Sequence, residues 1–202
     1  MYIKVTIKEE IYMDNCTDKT KNYPTCINIK NVNKFFGKKQ VLFDINLTVP
    51  HFQILGLLGP SGSGKTTLVK MIAGVDSPTS GEIYVLEEKM PKLKMMYNIG
   101  YMAQADALYG ELTAKENLEF FASMYSMSKQ KQKDRINQVM DLVNLSGHLN
   151  KQVKLYSGGM KRRLSLAIAL IHEPKVLILD EPTVGIDPLL RQSIWAELYD
   201  LS

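Results

Sequence analysis

The spacing of hydrophobic and polar positions changes several times along the chain, and each change marks a predicted element. From Cys26, "CINIKNV" alternates as a half-buried strand does, and "VLFDINLTV" (41–49) presents Leu42, Ile45, Leu47 and Val49 before Pro50 stops it. "QILGLLG" (53–59) is an unbroken apolar run ending in glycine, which predicts a strand covered on both faces. A helix then starts near Lys65 and carries Leu68, Met71 and Ile72. The middle third reads as helical. "TAKE" (113–116) is a capping box, with Thr113 as N-cap and Glu116 reaching back to it, before the apolar positions Leu118, Phe120 and Phe121. "DRINQVMDLVNL" sets Ile136, Val139, Met140 and Val143 on one face, with the upstream Lys129, Lys131 and Lys133 on a solvated one. "YSGGMKRRLSLAIALI" opens a further helix, "KVLILD" (175–180) is a second fully apolar strand, and "PLLRQSIWAELYDLS" closes the chain with Leu190, Ile194, Leu198 and Leu201 at helical spacing. The first 25 residues differ: they are polar and turn-rich, and are expected to form an extension outside the domain.

Composition narrows the class without naming a function. With 202 residues, 45% apolar and 23% charged, the chain can bury one sizeable core. A net charge of +4 suits an anionic ligand or a membrane surface, and nucleic acid does not follow from it. Cys16 and Cys26 match no metal spacing and read as reduced thiols. No apolar stretch approaches the ~18 residues that span a bilayer, and the charged N-terminus has no signal-peptide core.

Two stretches carry chemistry. "GPSGSGKT" fits G-x-x-x-x-G-K-[ST], a phosphate-binding loop, and it lies between an apolar run and a predicted helix as the mechanism requires. Gly59, Pro60, Ser61, Gly62, Ser63 and Gly64 form the loop; Lys65, Thr66 and Thr67 open the helix. Glycines let backbone N–H groups wrap a triphosphate, Lys65 reaches the β- and γ-phosphates, and Thr66 offers a hydroxyl to Mg²⁺. In "VLILDEPT" a strand delivers Asp180 to its carboxyl end, where Asp180 can hold Mg²⁺ and Glu181 can act as general base on water.

With those residues in view, the chain resembles the nucleotide-binding subunit of an ATP-binding-cassette transporter over about residues 26–202. Besides the phosphate loop and the Asp180–Glu181 pair, Gln104 in "YMAQ" matches the Q-loop glutamine, "YSGGM" (156–160) the signature, and Asp187 in "GIDP" the D-loop. The resemblance implies a phosphate-loop NTPase α/β fold: a sheet sandwiched by helices, an N-terminal antiparallel β-subdomain and an inserted helical subdomain. The core is then 26–103 and 156–202, with the helical subdomain at 104–155. It implies that Phe36 stacks on adenine, although a core phenylalanine would read the same. It further implies that Gln104 senses Mg²⁺ and the γ-phosphate, and that Ser157, Gly158 and Gly159 face the ATP held by a partner subunit.

Tyr156 and Met160 depart from the commoner Leu-Ser-Gly-Gly-Gln, and with "GIDP" they are similar to the drug- and antibiotic-exporter branch. The implied protein is an ATPase at the cytoplasmic face of the membrane. It works with a polytopic permease and a second ATP-binding subunit, using ATP and Mg²⁺, and no nucleic acid is expected. A soluble cassette ATPase acting on ribosomes or in assembly, or a catalytically impaired fragment, are the other readings. The family's switch histidine has no counterpart: His51 follows Pro50 in a turn, His148 lies in a polar loop, and His172 ends the signature helix, where a positive charge would suit the dipole. Ser202 is only 21 residues past Glu181, so the chain reads as a fragment ending within the catalytic domain, weak or inactive alone. Lys161, Arg162 and Arg163 are expected to be solvated.

Overall fold

The computed structural model describes residues 2–5 (as backbone), 24–51, 53–105 and 107–180. Two sheets organise it. In one, β2 (Thr25–Phe36) pairs antiparallel with β3 (Lys39–Pro50) on one side and with β5 (Ser80–Val85) on the other, and β6 (Glu88–Lys89) extends the edge. Alternation drives this half: Ile27, Ile29, Val32, Ile83 and Val85 are buried together. They pack with Val69, Met71 and Ile72 of α1 (Lys65–Ile72).

The other sheet positions the site. Its order is β4 (Ile54–Gly56), β1 (Tyr2–Val5), β8 (Val176–Leu179) and β7 (Ile99–Met102). β7 and β8 are parallel, and β1 runs antiparallel to both β4 and β8. β4, β8 and β7 therefore point the same way, and their carboxyl ends share one edge. All four residues of β8 are buried, as the run "VLIL" predicts.

Two expectations need correction. Residues 2–5 belong to this sheet rather than to an extension, because "YIKV" is rich in strand formers and finds backbone partners on both sides. Residues 6–23, whose polarity dominated the reading, lie outside those described. The run "QILGLLG" is not one buried strand: β4 has three residues, and Leu58 is 88% exposed. The chain leaves the sheet early to build the loop, and apolar character alone does not mark that exit.

α2 (Ala114–Ser123), α3 (Lys129–Leu142) and α4 (Gly158–Leu170) pack against β7 and β8 in a second apolar cluster that includes Leu118, Val139, Met140, Leu164 and Leu177. The capping box forms as read: Thr113 N–H donates to Glu116 Oε2 (2.7 Å), and Glu116 N–H to Thr113 Oγ1 (3.2 Å). α4 lies so close to β7 that a Cβ at Gly100 would collide with the carbonyl oxygen of Ala169 and sit 2.8 Å from Pro174 Cγ. Glycine is what allows that approach.

Candidate functional site

The phosphate loop leaves the carboxyl end of β4 and curls into α1. Gly64 holds the turn at φ +87° as the N-cap, and a Cβ there would lie 2.6 Å from Leu42 Cδ2 and 3.2 Å from the Val41 carbonyl. Both the left-handed backbone and the packing exclude a side chain. α1 has no acidic residue in its first turn, so its N-terminal N–H groups present uncompensated positive charge. Lys65 Nζ donates to the carbonyls of Gly59 and Pro60 (2.8 Å each) and to Ser63 Oγ (3.2 Å). The loop thus wraps an ammonium, and Gly59 to Ser63 stay exposed around it. Thr66 and Thr67, half-buried, follow in the first turn.

β8 and β7 bring the second group to the same edge. Asp180 follows β8 directly and is 3% exposed; its N–H donates to the Met102 carbonyl (2.9 Å), tying the two strand ends together. Its buried Oδ2 has no hydrogen-bond donor among the described residues. A buried carboxylate oxygen without a donor is costly, and a hard cation with oxygen ligands relieves it, so Asp180 fits Mg²⁺. The nearby Tyr101 phenol titrates above its usual range, first through burial and then through the charge of Asp180. Gln104 lies just beyond β7 and is exposed. Glu181 and Asp187 lie outside the described residues.

Phe36 ends β2 and is 53% exposed, so it is not a core residue. The Lys34 ammonium lies 5.1 Å from its ring centroid and pairs with Asp76 Oδ1 at 2.7 Å, which fixes it in place.

Ser157 is the N-cap of α4, its Oγ accepting the Met160 N–H at 3.2 Å. Ser157 and Gly158 are exposed, a Cβ on Gly158 would meet nothing within 4 Å among the described residues, and the first turn has no acidic residue. This helix end is open to an incoming anion. Sequence reasoning left Tyr156 and Met160 without a role. Tyr156 is buried and donates its O–H to the His148 carbonyl (2.8 Å), anchoring the turn before the helix, while Met160 packs half-buried on the helical cluster.

The expectation of solvated arginines is wrong. Arg162 is 5% exposed, and Arg163 is half-buried, donating to the carbonyls of Val143 (3.1 Å) and Asn144 (2.9 Å) at the end of α3. Carbonyls left over at element ends draw guanidinium groups inward. The lysines of α3 do remain exposed.

His172 is also corrected. It stacks on Tyr125 with ring centroids 4.0 Å apart, and its Nε2 lies 3.1 Å from the Ile99 carbonyl. The cation at the end of α4 is Arg135, which donates to the carbonyls of Leu170 (2.8 Å) and Ile171 (3.2 Å). Burial pushes the His172 pKa down from 6.5 to about 4; the Ile99 carbonyl opposes this and the Arg135 charge adds to it. The unfolded chain therefore binds this proton first. Stability is fully present above pH ~6.5 and declines as the pH falls towards ~4, by roughly 2 kcal/mol at pH 5. Urea unfolding of the full-length protein at pH 7 and pH 5 should show that loss, and His172→Gln should shrink it.

The comparisons agree with the geometry. A family profile described as ABC transporter matches residues 42–184. The chain is 40% identical over 182 residues to the "Probable multidrug ABC transporter ATP-binding protein YbhF" of Escherichia coli, covering 88% of this chain and 31% of that one. It is 40% identical over 177 residues to the linearmycin resistance ATP-binding protein LnrL of Bacillus subtilis (86% and 56%). It is 41% identical over 180 residues to the Nod factor export ATP-binding protein I of Rhizobium johnstonii (88% and 58%). The chain thus spans under two thirds of each of these relatives. Among solved structures, an ATP-binding subunit of an ABC transporter superposes with TM-score 0.75 at 25% identity, over 88% of this chain and 75% of that one. A dimeric post-hydrolysis state of the ATP-binding cassette MJ0796, bound to ADP and Pi, gives 0.72 at 28%, over 85% and 80%. With this profile match over residues 42–184, the chain belongs to the ABC transporter family of ATP-binding proteins.

Proposed function

We propose that the full-length protein binds and hydrolyses ATP with Mg²⁺ to power a membrane exporter, and that two copies, or this chain and a second ATP-binding subunit, close head to tail on the nucleotides. The observation that carries this reading is the shared edge of β4, β7 and β8, which sets the phosphate loop, Gln104 and Asp180 on one side of one sheet. Phe36 stacks on the adenine, the loop and Lys65 hold the phosphates, and Thr66, Asp180 and Gln104 hold the cation. Glu181 takes the proton from water, and Asp187 belongs to the junction between copies. Ser157, Gly158 and Gly159 face the partner's γ-phosphate; the open N-terminus of α4 supports that role.

The segment 104–155 is the mobile helical subdomain of this proposal. Within it Tyr109 and Phe120 are exposed and in edge-to-face contact (centroids 5.0 Å apart), an apolar feature that suits a helix of a permease. Among the described residues no helix is long and apolar enough to cross a membrane. The name of the Nod factor export ATP-binding protein I supports export over other transport. The test is affinity purification of the tagged full-length protein from detergent-solubilised cells. A polytopic membrane protein should co-purify in stoichiometric amount. Co-sedimentation with ribosomes and no membrane partner would overturn the exporter reading.

A further inference from the structure

The guanidinium of Arg162 joins three backbone carbonyls from two separate segments. Nη1 donates to Ala103 (2.7 Å) and Gln104 (3.1 Å), past the end of β7, and Nη2 donates to the carbonyl of Asp180 at the end of β8. Arg162 itself rides on α4, whose N-terminus carries Ser157, Gly158 and Gly159. A charge buried this deeply is costly unless its geometry is used. Here one plane of donors links α4 to the backbone of Gln104 and Asp180, two of the three residues proposed above to hold the cation.

We infer that Arg162 is a positioning residue that ties the signature helix to Gln104 and Asp180, so that contact with the partner's nucleotide is relayed to this chain's own Mg²⁺ site. The inference rests on the proposed function above. Any displacement of α4 must move the Arg162 donors, and the carbonyls of Gln104 and Asp180 either follow or lose them. Lysine cannot replace this residue, since a single ammonium does not offer two separated nitrogen atoms in a plane.

The experiment uses the full-length protein with Arg162→Lys and Arg162→Gln. For a variant that melts within a few degrees of the unmodified protein, turnover at saturating MgATP should fall at least tenfold (~10-fold or more). The KM for ATP should change less than about threefold. Affinity for Mn²⁺ in the presence of a non-hydrolysable ATP analogue, read by electron paramagnetic resonance, should weaken about fivefold or more. Unchanged Mn²⁺ affinity, a loss of turnover that merely tracks the unfolded fraction, or failure of both variants to fold would overturn the assignment in favour of a structural arginine. If the unmodified full-length protein has no ATPase activity, the proposed function fails instead. Normal ATPase activity with an unaffected Arg162→Lys removes only Arg162.

Discussion

Lys65→Ala in the full-length protein should lower ATP turnover by about 100- to 1000-fold while leaving the fold intact, as expected for removal of a preorganised donor aimed at developing phosphate charge. The Lys65 ammonium is held by the Gly59 and Pro60 carbonyls and Ser63 Oγ, all within the loop, and by no residue of the apolar clusters. Removing it leaves those clusters complete, so the melting temperature without nucleotide should stay close to that of the unmodified protein. The upward shift in melting temperature on adding MgATP should be lost along with turnover. Full turnover in Lys65→Ala would mean that the loop does not hold the reacting phosphates.

The second large effect concerns Ser157→Arg. Ser157 caps α4 from an exposed position, and among the described residues nothing lies within 4 Å of a Cβ placed on Gly158. Replacing the cap costs about 1 kcal/mol, up to roughly 2, in helix stability, and the domain should tolerate it. A bulky cation at that helix end removes the contact with the partner's nucleotide at each composite site that contains it, which in the variant alone is both sites. Nucleotide binding by the separate subunit should therefore persist, while MgATP-driven dimerisation and turnover fall by about 100-fold or more. Retained dimerisation in a sedimentation experiment would remove the signature from the interface.

Much of this site was legible in the chain because the relevant physics is local. A phosphate loop is a run of neighbouring residues with fixed conformational needs. The Thr113–Glu116 capping box spans one helical turn, and "VLIL" announces burial on both faces by composition alone. The unread parts depend on partners distant in sequence. Arg162 meets carbonyls 58 and 59 positions upstream, and Arg135 caps a helix that ends 35 positions later. In both cases a charged residue on a helix gave no local sign that its head would turn inward. The same holds for Tyr156, whose place in the signature is explained by the carbonyl of His148 across a short loop. β1 was missed because only three strand-forming residues, Tyr2, Ile3 and Val5, precede a polar stretch, and pairing with β4 and β8 is a tertiary event.

The central claim is that each nucleotide is held between the phosphate loop of one copy and the signature helix of the other. Mixing full-length Lys65→Ala with full-length Ser157→Arg tests it most directly, since each variant alone should remain monomeric with MgATP. In a mixed pair, one composite site carries both changes and the other carries neither. The mixture should form a MgATP-dependent dimer in sedimentation velocity; two variants that stay monomeric when combined, as they do apart, would contradict a nucleotide shared between copies.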